Sequence, residues 1–246
     1  TAYEIGVRLV GSEMCIRDSN DFDPLDDYSV ENYDIKIKEV VENKLEEYTI
    51  GYYKSFYERD SLYKNAIDFL VEEGVELQVI DAPQIRLEGF AKILDEDMRY
   101  DLRSYLFFYG SKNLKVEDIS SIIKYNEMDS VERAPYGQGI FKKIIQDTMS
   151  INDFEDLKFE LMNKGNEFFD IPMNKYNLDA VLSINNYHAG YAAMAHNPCL
   201  TVPMKVRENN EPAGLTIIGK SFQEQKLYEI GYFFEKKYKG RIPPKN

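Results

Sequence analysis

Two short runs rich in β-branched and aromatic residues, 48–53 (YTIGYY) and 75–80 (VELQVI), bracket a stretch in which Leu62, Ala66, Phe69 and Leu70 recur at helical spacing. Runs of the first kind fit a pleated, half-buried surface, and apolar positions every three to four residues give a helix one buried stripe. Asp60-Ser61 supplies a helix start, and Gly74 can close the helix by taking a left-handed conformation. A strand–helix–strand unit of this kind most often joins two parallel strands, and a parallel pair needs helices covering the sheet. The chain therefore reads as α/β.

The remainder keeps the same alternation. Residues 87–109 carry a long helical pattern ending at Gly110, and 116–126 keeps Ile119, Ile122 and Ile123 on one face. After Pro135-Tyr136-Gly137-Gln138-Gly139 a helix is expected through Phe141, Ile144 and Ile145, then another over 154–176 with a break at Pro172. The C-terminal quarter is the most regular. Strands at 179–184, 199–206 and 215–218 flank YHAGYAAMAHN, whose small residues suit a tightly packed helix. Residues 208–212 have hairpin-turn chemistry, since Asn tolerates left-handed geometry and Pro restricts its neighbour. Ser221 and Glu224 read as a capping box for a last helix that turns Leu227, Ile230, Phe233 and Phe234 inward.

Charge and composition exclude several partners. With 43 acidic against 30 basic side chains the net charge is -13, so a nucleic acid held by its phosphates meets repulsion. No stretch approaches the roughly 20 apolar residues of a membrane span, and the N-terminus lacks the apolar core of a signal peptide. No nucleic-acid or membrane partner is expected, and the location reads as cytoplasmic. Cys15 and Cys199 lie far apart, and Cys199 sits in an apolar run (PCLTV) that reads as buried strand, a structural thiol in a reducing compartment.

Residues 1–19 (TAYEIGVRLVGSEMCIRDS) show neither a helical stripe nor a two-residue alternation, and Asn20 opens a strongly acidic composition. A seam is expected there. The segment resembles a peptide that recurs where adapter sequence has been read as coding sequence, so 1–19 is expected to be non-native and the domain to span 20–246. Position 1 is Thr rather than Met, which fits a truncated reading frame with an upstream portion missing.

Reactive side chains are few. His188 and His196 are eight positions apart, about 12 Å of rise on one helix, and so cannot share a metal there; one packed and one partly exposed histidine is the expectation. Ser120-Ser121 with Lys124 invites comparison with serine/lysine hydrolytic sites, but no glycine loop brings amides to an oxyanion and the flanking isoleucines assign that helix to packing. The acidic residues are mostly interleaved with Lys and read as solvated faces. No phosphate-cradling glycine motif is present. No cofactor and no metal are expected.

The stretch 197–235 (NPCLTVPMKVRENNEPAGLTIIGKSFQEQKLYEIGYFFE) resembles the C-terminal end of the amidase signature family: a small-residue helix, a strand ending in Val202-Pro203, a turn, a strand between Gly214 and Gly219, then Phe222/Glu224 and a terminal helix with Phe234-Glu235. Upstream, DFDPLD resembles the acidic segment that follows the family's catalytic core, TIGYYKSF its next strand, and VEDISSIIKYNE with RAPYGQGIFKKI a later helical pair. The resemblance implies an α/β/α layered fold around a mixed central sheet, present as a C-terminal fragment only. It also implies hydrolysis of amide carbon–nitrogen bonds, or the ammonia-releasing transfer of the glutamyl-tRNA amidotransferase A subunit. The family's serine nucleophile, bridging cis-peptide serine, lysine base and glycine-serine loop lie upstream of the acidic segment, so no catalytic residue carries over and the chain is expected to be inactive alone.

The family's C-terminal half lines the substrate side of the pocket, which makes Asn185, Asn186 and Tyr187 candidate substrate-binding residues, with Tyr136 and Gln138 as second candidates. In the amidotransferase-like branch an acidic residue near position 186 holds the substrate's amino group. An amide there points to a neutral amide or peptide-like small molecule. The alternative is a noncatalytic binding or assembly subunit that kept this part of the fold. Exposed sheet edges and apolar faces predict poor solubility for 20–246 in isolation.

Overall fold

A computed structural model describes Phe22, Pro24 and residues 45–243. The segment 1–19, the seam near residue 20 and most of DFDPLD lie outside the described residues. In chain order the elements are β1 (Thr49–Tyr53), α1 (Lys54–Arg59), α2 (Ser61–Glu72), β2 (Glu76–Ile80), α3 (Phe90–Tyr109), α4 (Ile119–Glu127), α5 (Ser130–Arg133), α6 (Gly139–Gln146), α7 (Ile151–Tyr176), β3 (Ala180–Ile184), α8 (Ala189–Met194), β4 (Cys199–Val206), β5 (Pro212–Gly219) and α9 (Glu224–Tyr238). They fall into two compact units. One holds the described residues up to Ile85 and resumes at Lys164; the other is Arg86–Asn163.

The first unit is built on a five-stranded mixed sheet of order β2-β1-β3-β5-β4. β1 runs parallel to both neighbours, with Tyr52 opposite Val79 and Leu182, while β5 is antiparallel to β3 and β4. The two-residue strand period sorts the side chains onto two faces. Ile50, Leu182, Leu215, Ile217, Val202 and Met204 meet Ala66, Ile67 and Leu70 of α2 and Leu227, Ile230 and Phe234 of α9. On the opposite face Tyr53, Val181 and Ile218 meet Phe168, Phe169 and Met173 of α7 and Ala192 of α8. Helices cover both faces, giving the expected α/β/α layering, and every residue of β3 is buried.

Asp60 starts α2 by accepting the Tyr63 amide at 2.9 Å, and it also pairs with Arg207 at 2.6 Å, tying the β4–β5 hairpin to that helix. The hairpin closes through the Arg207 amide on the Glu211 carbonyl at 2.8 Å, with Asn210 left-handed at φ 65°.

The second unit packs α4 against α6 through Ile119, Ile123 and Ile144, with Leu102 of α3 and Phe141 alongside. Its polar centre is Glu96, fully buried, which pairs with Arg99 at 2.6 Å and Lys92 at 3.4 Å and accepts the Met149 amide at 3.2 Å. Arg99 reaches on to the carbonyls of Ile144 and Asp147, so one guanidinium closes the end of α6. Ser121 is occupied in a capping box with Asp118, consistent with a packing role for that helix.

Four local expectations are corrected. Helix α7 continues through Pro172, because Phe168, Phe169 and Met173 around it are buried in the core and their packing outweighs a proline cost of about 3 kcal/mol. The Ser221/Glu224 capping box does not form: Phe222 is left-handed at φ 64°, Gln223 takes the cap position, and the Ser221 hydroxyl donates to the His196 carbonyl at 2.8 Å. Cys199 is exposed rather than buried, because β4 is an edge strand and Cys199 lies on the alternation opposite Leu200 and Val202. Asp95, Glu96 and Glu229 are buried, not solvated. Among the described residues no helix is long and apolar enough to cross a membrane.

Candidate functional site

Parallel strands put their carboxyl ends on one edge of a sheet, where side chains leave the ladder and are free to meet a ligand. In this sheet that edge is made by the ends of β1 and β3, at Tyr53 and Ile184. The chain leaving β3 turns at once. Asn185 is left-handed at φ 49°, its amide donates to the Gly214 carbonyl at 2.9 Å, and its side-chain Oδ1 accepts the Gly214 amide at 2.7 Å. Its own carbonyl accepts the Thr216 hydroxyl. Gly214 cannot be replaced cheaply, since a Cβ there would lie 2.5 Å from Thr201 Cγ2. Asn185 is thus a corner stitched to β5 by three hydrogen bonds.

The turn presents its next two residues outward. Asn186 is exposed, and Tyr187, 71% exposed, stands edge-on to Phe56 of α1 at 4.9 Å between ring centroids. The Tyr187 amide donates to the Ile184 carbonyl at 3.0 Å, which fixes the geometry of the turn. His188 then points back into the protein. It is buried, its ring lies 4.5 Å from Tyr53 and 5.2 Å from Phe168, and its Nδ1 is 2.9 Å from Ser183 Oγ. Burial lowers its pKa to about 4, so the imidazole is neutral at ordinary pH. The Tyr63 hydroxyl joins the strand ends, donating to the Leu182 carbonyl at 2.7 Å and accepting the Tyr53 amide at 3.2 Å. The Tyr53 hydroxyl is buried without a partner among the described residues, and burial raises its pKa.

Ser183 and His188 have the composition of a nucleophile–base pair, but neither is placed to act as one. Ser183 is fully buried, and a base with a pKa near 4 takes up a proton poorly at neutral pH. The pair holds the turn from beneath. The sequence did carry a signal for it: a serine inside an otherwise apolar strand must find a buried partner, and His188, five residues later, is the one of the two histidines that packs.

The sequence candidates are therefore placed as follows. Asn185, Asn186 and Tyr187 lie together on one turn of the first unit. Tyr136 and Gln138 belong to the second unit. Tyr136 is fully exposed on the loop between α5 and α6, where Gly137 is left-handed at φ 80°. Gln138 is committed to packing, its Oε1 accepting from the Asn126 side-chain Nδ2 at 3.1 Å and its Nε2 donating to the Ile123 carbonyl at 3.3 Å. Asn185 and Gln138 thus spend side-chain atoms on their own loops, whereas Asn186, Tyr187 and Tyr136 face solvent.

No protein-family model and no curated protein matches the sequence. Among solved structures, an amidase family protein from Bacillus anthracis str. Ames matches with a TM-score of 0.74 and 27% identity over 81% of this chain. The chain shares its fold with the amidase signature family. A peptide amidase from Stenotrophomonas maltophilia matches the amidase-signature fold of this chain at a TM-score of 0.69 and 20% identity over 80% of it. A bacterial aryl acylamidase of the amidase signature enzymes family gives 0.55 and 13% over 78%. Likenesses of 20% and 13% identity speak to fold alone. The chain spans 40%, 44% and 44% of the lengths of these three structures.

Proposed function

We propose that this chain is the substrate-side part, residues 20–246, of a hydrolase acting on amide carbon–nitrogen bonds, with a neutral amide or peptide-like small molecule as substrate and a cytoplasmic location. The observation that carries this reading is the fold likeness to the Bacillus anthracis amidase family protein at 27% identity. The turn after β3 supports it by presenting Asn186 and Tyr187, neither of them charged, at the carboxyl edge of the parallel strands. In this reading Asn186 and Tyr187 contact substrate and Asn185 positions the turn that carries them, while Tyr136 and Gln138 stay second candidates on a loop of the second unit. The serine nucleophile and lysine base are supplied by sequence outside residues 20–246, so the chain alone is inactive.

A second reading is a noncatalytic binding or assembly subunit, with which the burial of the Ser183–His188 pair is equally compatible. The purified chain incubated with a C-terminally amidated peptide separates a substrate-binding part from an assembly subunit. The hydrolase-part reading expects saturable binding without ammonia release; ammonia release blocked by a serine-directed inhibitor overturns the assignment of catalysis to other sequence. A chain that binds no amide favours the assembly reading, and an upstream reading frame carrying a glycine-flanked serine pair and a lysine decides for the hydrolase.

A further inference from the structure

The second unit carries a surface that amide chemistry does not use. The end of α3 reads Ser104-Tyr105-Leu106-Phe107-Phe108-Tyr109-Gly110, and Tyr105, Phe107, Phe108 and Tyr109 are 61%, 80%, 72% and 73% exposed. Their rings pair with one another: Phe107 and Phe108 stand edge to face at 5.1 Å, and Tyr105 lies 5.6 Å from Tyr109. Contiguous apolar patches of this kind are rare on proteins that meet only water.

Two further observations narrow the occupant. At about 100° per residue, positions 105, 107, 108 and 109 spread over more than half of the helix circumference. A protein partner covers one face of a helix, whereas a fluid medium surrounds its tip. Residues 103–115 also contain Arg103, Lys112 and Lys115, all exposed, and no acidic residue, the nearest exposed acids being Asp101 and Glu117 on either side, in a chain whose net charge is -13. An aromatic tip bordered by cations is complementary to an anionic lipid surface, with rings at the boundary between headgroups and acyl chains and cations at the headgroup charges. We propose that the end of α3 and the loop to Lys115 form a peripheral docking site for an anionic lipid bilayer. The acidic remainder of the chain is repelled by the same surface, so the contact is made tip first. The lack of a spanning helix among the described residues bears on crossing a membrane and not on resting against one.

Vesicle flotation of the 246-residue chain tests this, because bound protein rises with lipid while aggregates sink. The chain is expected to float with vesicles of phosphatidylserine and phosphatidylcholine, to stay behind with phosphatidylcholine alone, and to be released by high salt. Phe107→Ser with Phe108→Ser is expected to lower binding more than about tenfold. Lys112→Gln with Lys115→Gln is expected to weaken binding and flatten its salt dependence. All four side chains are exposed, so unchanged circular dichroism and Tm show that each variant folds. The chain contains no Trp, and Phe108→Trp therefore gives a single reporter whose emission should shift to the blue on anionic vesicles. The proposal is overturned if the wild-type chain does not float, if flotation ignores the Phe107/Phe108 substitutions, or if those substitutions instead abolish self-association in lipid-free solution.

Discussion

Ser183 Oγ and His188 Nδ1 lie 2.9 Å apart beneath the turn that ends β3, and both residues are buried. Burial holds the His188 pKa near 4, against 6.5 for an unperturbed imidazole. Above 6.5 the ring is neutral in folded and unfolded chains alike, and its contribution to stability is fully present. As pH falls from 6.5 towards 4, the unfolded chain takes up a proton that the folded chain refuses, so stability falls by about 1.4 kcal/mol per pH unit and about 3 kcal/mol in all. Urea unfolding across this window should show that slope, and His188→Gln should remove it. A wild-type slope equal to that of the variant would show that His188 is not buried in neutral form.

Asp60 performs two tasks that substitution can separate. Burial pushes its pKa up, but the hydrogen bonds from the Tyr63 amide and the Arg207 guanidinium bring it below its ordinary 3.8. Its share of stability is therefore present above 3.8 and lost as pH falls below that value, beneath the window of His188. Asp60→Asn keeps a good helix cap and removes the ion pair with Arg207; Asp60→Ala removes both. The alanine variant should be less stable than the asparagine variant by about 1 kcal/mol. Equal Tm values for the two would show that the cap contributes nothing.

In the second unit the decisive group is Glu96. Glu96→Ala leaves Arg99 without its carboxylate partner, while Lys92 keeps Asp147, and should cost about 3 kcal/mol. Because Arg99 also closes α6 through the Ile144 and Asp147 carbonyls, the loss should appear first as faster amide hydrogen exchange over Gly139–Gln146. Uniform acceleration across both units, with no excess in α6, would refute this local coupling.

These three sites show where a sequence is legible and where it is not. Strands 49–53, 76–80 and 199–206 are announced by composition alone, since β-branched residues and a two-residue period mark them, and Asp60-Ser61 and Gly74 bound α2 as read. Partners distant in sequence leave no local trace. Glu96 looks like any acid among lysines until the Met149 amide, 53 residues on, is seen to reach it. Asn185 is recognisable as a turn residue, but its tie to Gly214, 29 residues away, comes from a sheet order no local pattern encodes. The exposure of Cys199 leaves no local trace for the same reason, because an apolar run does not say whether its strand is central or at an edge. Six residues of α1, KSFYER, are too short to declare a helical period.

The turn after β3 offers the sharpest contrast between neighbours. Asn185→Ala loses the Oδ1 bond to the Gly214 amide and places a less tolerant residue at φ 49°, so it should cost about 2–3 kcal/mol. Tyr187→Ala removes an exposed ring that touches Phe56 and should change stability by less than about 1 kcal/mol. If the turn faces substrate, binding of an amidated peptide responds in the opposite order once folding is accounted for. Tyr187→Ala and Asn186→Ala then weaken it several-fold at unchanged Tm, while Asn185→Ala weakens it only in proportion to the fraction of chain unfolded. Isothermal titration on each variant, paired with its thermal melt, makes the comparison. Unchanged affinity in both Asn186→Ala and Tyr187→Ala would remove this turn from the pocket and leave Asn185 as a corner that serves the sheet alone.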